Sequence, residues 1–281
     1  MAPVLALGAA TAFTSGTGAA NVNRSSSYSG GIMMASDPTG GYWTVSPAGA
    51  VTTHGVAPAL GSPALSNLHL TQPIVGMAAT PSGKGYWLVA SDGGIFSYGD
   101  AQFYGSTGAI HLNKPIVGMA ATSDGGGYWL VASDGGIFNY GDAPFYGSTG
   151  AIRLNMPIVG MSPTPDGNGY FLVAFDGGIF TFGDAGFYGS TAGWGVYAYG
   201  MIVNPANAGY AVVTANGAAT VFGPGLHPNA QSAGGLQQGA YVSSQSPSGM
   251  TSFAQQTETT PTVATIYLNG SNGWATMDGS G

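Results

Sequence analysis

Apolar runs of five or six residues, each closed by a Gly-rich or Asp-Gly turn, recur at short intervals along most of the chain. In the clearest stretch, Ile74 to Ala79 is an apolar, β-rich run, Pro81-Ser82-Gly83-Lys84-Gly85 is a turn, and Tyr86 to Ala90 is a second run. Asp92-Gly93 is a hairpin signal, and Ile95 to Tyr98 and Gln102 to Gly105 follow as third and fourth strands around Gly99-Asp100. The second run is apolar at every position, so alternation places Trp87 and Val89 on one face and Tyr86 and Leu88 on the other. A sheet built from such strands needs neighbours on both faces.

Those neighbours are further copies of the same unit. Residues 73 to 114 recur as 115 to 156 with only Pro81, Ser82, Lys84, Ser97, Gln102, His111 and Lys114 exchanged, so 35 of 42 positions are identical. A third copy starts at Pro157, and weaker copies flank the three, aligning Tyr42-Trp43 with Tyr86-Trp87 and Gly209-Tyr210 with Gly169-Tyr170. Four strands of about five residues with short turns fill about 42 residues, the length of a propeller blade. Radial stacking covers both faces of each sheet, so the expected fold is an all-β propeller of five four-stranded blades, or six if the termini complete one. A parallel β-solenoid is the alternative. Copies are placed near 31–72, 73–114, 115–156, 157–198 and from 199 to 223 within a repeat region of 30–223. Residues 1–29 form an N-terminal arm or a residual export signal, and 224–281 a degenerate last blade or closing segment. Equivalence of the repeats predicts that Trp87, Trp129 and Phe171 occupy matching buried positions.

Charge narrows the partners. Four basic and eleven acidic residues make up 5% of the chain, for a net charge of -7, against about 25% charged residues in an average domain. Arg24, Lys84, Lys114 and Arg153 cannot neutralise a run of phosphates, so nucleic acid is excluded as a partner. With no Cys, disulfides and thiolate metal sites are absent. No apolar stretch reaches the roughly 20 residues of a membrane-spanning helix. Val4 to Phe13 reads either as the apolar part of an export signal without its basic start or as an ordered strand or arm.

The segment GYWLVASDGGIFSYGDAQFYGS, Gly85 to Ser106, resembles the tandem repeat of secreted actinobacterial proteins, over roughly residues 31 to 223. The resemblance implies a secreted or cell-surface location and a propeller-like fold, in a family whose repeats often accompany cell-wall or glycan-active domains. No recognisable hydrolase domain stands beside the repeats here, so what the resemblance implies is a binding or structural role.

Catalytic constellations are not found. Asp92, Asp134 and Asp176 share one turn and Asp100, Asp142 and Asp184 another, which is the pattern of a scaffold. Glu258 is the only Glu, so a pair of glycosidase carboxylates has no evident partner for it. His54, His69, His111 and His227 stand in no metal-binding spacing, and His111 is exchanged for Arg153 in the next copy. No catalytic residue, metal site or cofactor is expected. The aromatics Tyr86, Trp87, Phe96, Tyr98, Phe103 and Tyr104 recur as Tyr128, Trp129, Phe138, Tyr140, Phe145 and Tyr146, and most are expected in the core. Positions that differ between the two best copies are expected in solvent. One connector departs from the rest: Gly193-Trp194-Gly195-Val196-Tyr197 stands where Ala-Ile-Arg-Leu-Asn occupies 151–155, offering a sugar-stacking platform or a plug on the propeller end. Trp194 and Tyr197, with the variable Lys84, Gln102, His111 and Arg153, are the candidate ligand-binding residues. The expected function is non-enzymatic binding of glycan or protein through blade loops. The rival is a structural subunit of a surface layer, filament or virion, associating with copies of itself.

Overall fold

The computed structural model describes residues 33–38, 41–66, 68–204, 209–214 and 219–223, together with the backbone of strands at 7–9, 226–228, 241–243, 264–268 and 273–279. The described residues are all-β. Strand β1 is Leu7–Ala9. Five three-stranded antiparallel sheets then follow in chain order. The first holds β2 (Met33–Ser36), β3 (Tyr42–Val45) and β4 (Val51–His54). The second holds β5 (Ile74–Ala79), β6 (Gly85–Ala90) and β7 (Ile95–Gly99). The third holds β8 (Ile116–Ala121), β9 (Gly127–Ala132) and β10 (Ile137–Gly141). The fourth holds β11 (Ile158–Pro163), β12 (Gly169–Ala174) and β13 (Ile179–Gly183). The fifth holds β14 (Ala198–Val203), β15 (Tyr210–Thr214) and β16 (Ala219–Phe222). Beyond them, β17 (Leu226–Pro228) pairs with β18 (Tyr241–Ser243), and β19 (Ala264–Leu268) with β20 (Gly273–Gly279), on which β1 lies in parallel.

The first strands sit beside one another in the order β2, β5, β8, β11, β14, and β19 lies beside both β14 and β2. Close approach is made possible by glycine at a bulge. Register shifts after Ile74, Ile116, Ile158 and Ala198, at Gly76, Gly118, Gly160 and Gly200. A Cβ on Gly76 would stand 3.2 Å from the Met119 amide and 3.3 Å from Gly118 Cα, so β5 and β8 meet there backbone to backbone.

Middle strands β6, β9 and β12 are buried along their whole length, as their unbroken apolar runs require. Their two faces feed separate clusters. Tyr86 and Leu88 pack with Trp43 and Val45 of the first sheet, whereas Trp87 and Val89 pack with Tyr128 and Leu130 of the third. The expected equivalence holds: Trp87, Trp129 and Phe171 are each fully buried.

The fourth strand is corrected. Gln102 to Gly105 joins no ladder, and each of the five repeat sheets has three strands. Gly105 turns to φ 144, and the amides of Tyr104 and Gly105 donate not to a neighbouring strand but to the Tyr128 hydroxyl of the next sheet, at 3.2 and 3.1 Å. That hydroxyl in turn donates to the Gly105 carbonyl at 2.5 Å. Tyr170 grips Tyr146 and Gly147 in the same way, and Tyr210 grips Tyr188 and Gly189. Because the segment leaves the sheet, Phe103 and Phe145, expected mostly in the core, are 57% exposed. Of the variable positions, Ser97 is corrected from solvent to half-buried, with its hydroxyl enclosed. Antiparallel ladders in all five repeat sheets are not the pairing of a parallel solenoid. Among the described residues no helix is long and apolar enough to cross a membrane.

The tyrosine clasps set an alkaline limit. Burial, reinforced by the neighbouring Tyr98, pushes the Tyr86 hydroxyl from 10.0 up to about 12, and burial raises Tyr128, Tyr170 and Tyr210 as well. A folded-state value above the unfolded one means that the contribution is complete below pH 10.0 and is lost as pH rises toward 12. Thermal unfolding followed against pH is therefore expected to show a steep fall in Tm in that window. A Tm that stays level through it would remove the clasps from the account of stability.

Candidate functional site

Most polar side chains of the repeats serve the turns. Asp92, Asp134 and Asp176 each accept the amide two residues on, from Gly94, Gly136 and Gly178, at 2.9, 3.0 and 3.1 Å. Asp100 accepts from Thr80 and Ser82 at 2.9 and 2.6 Å, tying the end of β7 to the β5–β6 turn. Asp142 does the same with Thr122 at 3.2 Å. At the equivalent turn of the fourth sheet, hydrogen bonds from Asn168 and Thr164 hold the Asp166 carboxyl down at about 2. These carboxylates are occupied by the scaffold.

One junction breaks the pattern. Where the second and third sheets end their middle strands with Ser91 and Ser133, the fourth has Phe175, and the equivalence is set by backbone bonds. Ile116 and Ile158 donate to the carbonyls of Ser91 and Ser133, as Ala198 donates to Phe175 at 2.8 Å. By the same register Tyr197 replaces Pro115 and Pro157, and Tyr199 replaces Val117 and Val159. Three coordinated replacements bring three rings together. Phe175 and Tyr197 stack at 4.7 Å with planes 13° apart, and Tyr199 meets Phe175 edge-on at 5.8 Å. Tyr197 keeps 51% of its surface in solvent.

Trp194 lies three residues before Tyr197 on the shortened connector, where its amide donates to Thr191 at 3.1 Å as Ile110 does to Thr107. Gly193 and Gly195 flank it at φ 83 and 72, and a Cβ on either would meet no atom within 4 Å. The indole is 50% exposed, with its ring 6.2 Å from Phe222. An aromatic held out by two left-handed glycines presents a flat apolar face without covering it.

The other candidates are dispersed. His111 and Arg153 are exposed on equivalent connectors, each leading to the start of a first strand. Lys84 is exposed in the β5–β6 turn, at the opposite end of the strands. Gln102 is exposed, and its backbone carbonyl accepts the Trp87 indole N–H at 2.7 Å. Only Trp194 and Tyr197 share a connector. Phe175 and Tyr199 were missed, yet the signal was present: both are aromatic exchanges at positions where the second and third sheets carry Ser91 and Ser133, and Val75 and Val117. No family model matches the chain, and no curated protein does.

Proposed function

We propose that the chain is a non-enzymatic six-bladed β-propeller that binds a neutral glycan at the aromatic junction of Phe175, Trp194, Tyr197 and Tyr199. The ring reading is supported by β19, which lies beside both β14 and β2 and so returns the succession of first strands to its start. The sheet of β19, β20 and β1 then supplies the sixth blade from both ends of the chain. The glycan reading rests on one observation: on an otherwise repetitive scaffold, one junction exchanges Ser, Pro and Val for three clustered aromatics, with an exposed Trp three residues before Tyr197. Aromatic faces suit the apolar faces of sugar rings, and a net charge of -7 disfavours polyanions. The resemblance to repeats of secreted proteins agrees with an extracellular polymer as ligand.

Binding to a panel of cell-wall and neutral polysaccharides tests the proposal. Trp194→Ala is expected to cost about 2 kcal/mol, a roughly 30-fold rise in Kd, as the loss of an aromatic anchor does. Unchanged affinity in this variant would move the site elsewhere. A chain that binds no glycan and forms large ordered assemblies would instead be a structural subunit.

A further inference from the structure

Register alignment of the five first strands leaves one position identical in all of them. Met34, Met77, Met119, Met161 and Met201 stand opposite Thr44, Leu88, Leu130, Leu172 and Val212 of their middle strands. Every other position of these strands varies, the residue before included, where Met33 takes the place of Gly76, Gly118, Gly160 and Gly200. All five methionines line one open cavity of about 340 Å³ bordered by the first strands. Between β5 and β8 the glycine bulge brings the strands into backbone contact at the residue preceding the methionine.

Packing alone does not call for this choice. The cross-strand partners show that Leu, Val or Thr fits the neighbouring positions, and Met34, Met161 and Met201 are only half-buried. What five methionines have in common, and Leu lacks, is a polarisable thioether sulfur.

We propose that this collar binds one monovalent soft cation, Cu(I) or Ag(I), through thioether sulfurs. Thioethers favour such ions over hard ones, and among the described residues the cavity lining includes no carboxylate or imidazole of the kind Ca²⁺, Mg²⁺ or Zn²⁺ sites use. The site is independent of the glycan reading, since it shares no residue with the aromatic junction. Thioethers also carry no proton to lose, whereas imidazole and carboxylate sites release metal as pH falls from about 8 to about 5.

Ag(I), which undergoes no redox change under these conditions, is the probe. Titration of the full chain is expected to give one equivalent bound with an affinity unchanged across that pH range, and X-ray absorption is expected to show sulfur neighbours alone. Met77→Leu/Met119→Leu/Met161→Leu is expected to weaken binding roughly 100-fold, the upper end of what loss of even a supporting group costs. Met156→Leu, an exposed methionine outside the cavity, should bind as the unaltered chain does. Absence of binding, nitrogen or oxygen neighbours around the bound ion, or full affinity in the triple variant would each overturn the proposal. If the triple variant fails to fold, the absorption spectrum of the unaltered chain decides.

Discussion

Gly135→Ala is expected to lower stability by about 3 kcal/mol or more, because left-handed strain and overpacking act on one atom. Gly135 lies at φ 77 in the Asp-Gly turn joining β9 to β10, a conformation that a Cβ resists. The added carbon would also overlap the Thr149 hydroxyl and stand 3.1 Å from Thr149 Cβ. That hydroxyl is not free to move aside, since it donates to the Asp134 carbonyl at 2.9 Å. Thr149→Ala alone should cost about 1 kcal/mol, one hydrogen bond. Combined with Gly135→Ala it should cost less than the sum of the two, because the smaller side chain removes the overlap and leaves only the backbone strain. Chemical denaturation of the four proteins measures the cycle. Strict additivity would mean that contact with Thr149 is not what fixes glycine at this turn.

The second large effect is expected at the middle strands. Trp129 is fully buried between the third and fourth sheets, its indole N–H donating to Pro144 at 2.7 Å and its ring 5.9 Å from Tyr170. Trp129→Ala should destabilise by about 3–5 kcal/mol, the cost of an aromatic-sized cavity. Trp129→Phe should be much milder, about 1–2 kcal/mol, for a smaller void and one unpaired carbonyl. The fourth sheet already makes this exchange, since Phe171 fills the same place and packs 5.1 Å from Tyr210. Equal losses in the two variants, by denaturant midpoint, would show that the hydrogen bond rather than ring volume dominates.

Strand positions and repeat period were legible because both are local. Alternation, Asp-Gly turns and the 42-residue self-match need no knowledge of what lies across a sheet. The fourth strand was misread because Gln102 to Gly105 has strand-like residues, while its amides are claimed by a tyrosine more than twenty residues later. Propensity cannot see such a competitor. Phe103, Phe145 and Ser97 followed from the same error or from its opposite, burial being decided by the neighbouring unit. At the aromatic junction, Trp194 and Tyr197 stood out as an irregular connector, but Phe175 and Tyr199 belong to elements that look regular in isolation. Phe175 is brought to Tyr197 by the bond from Ala198 to the Phe175 carbonyl, a contact between sheets. The methionine collar was equally invisible, since each residue reads as ordinary apolar filling until the bulges fix the register.

The tyrosine clasp has a consequence for how such a chain can lengthen. Each unit holds the trailing segment of the one before it and offers its own to the one after, so the covalent module and the gripping module are out of step. A duplicated 42-residue stretch therefore arrives with one hand to hold its predecessor and one to be held, and no existing grip is left empty. Copies can be gained or lost in tandem without repairing any local bond.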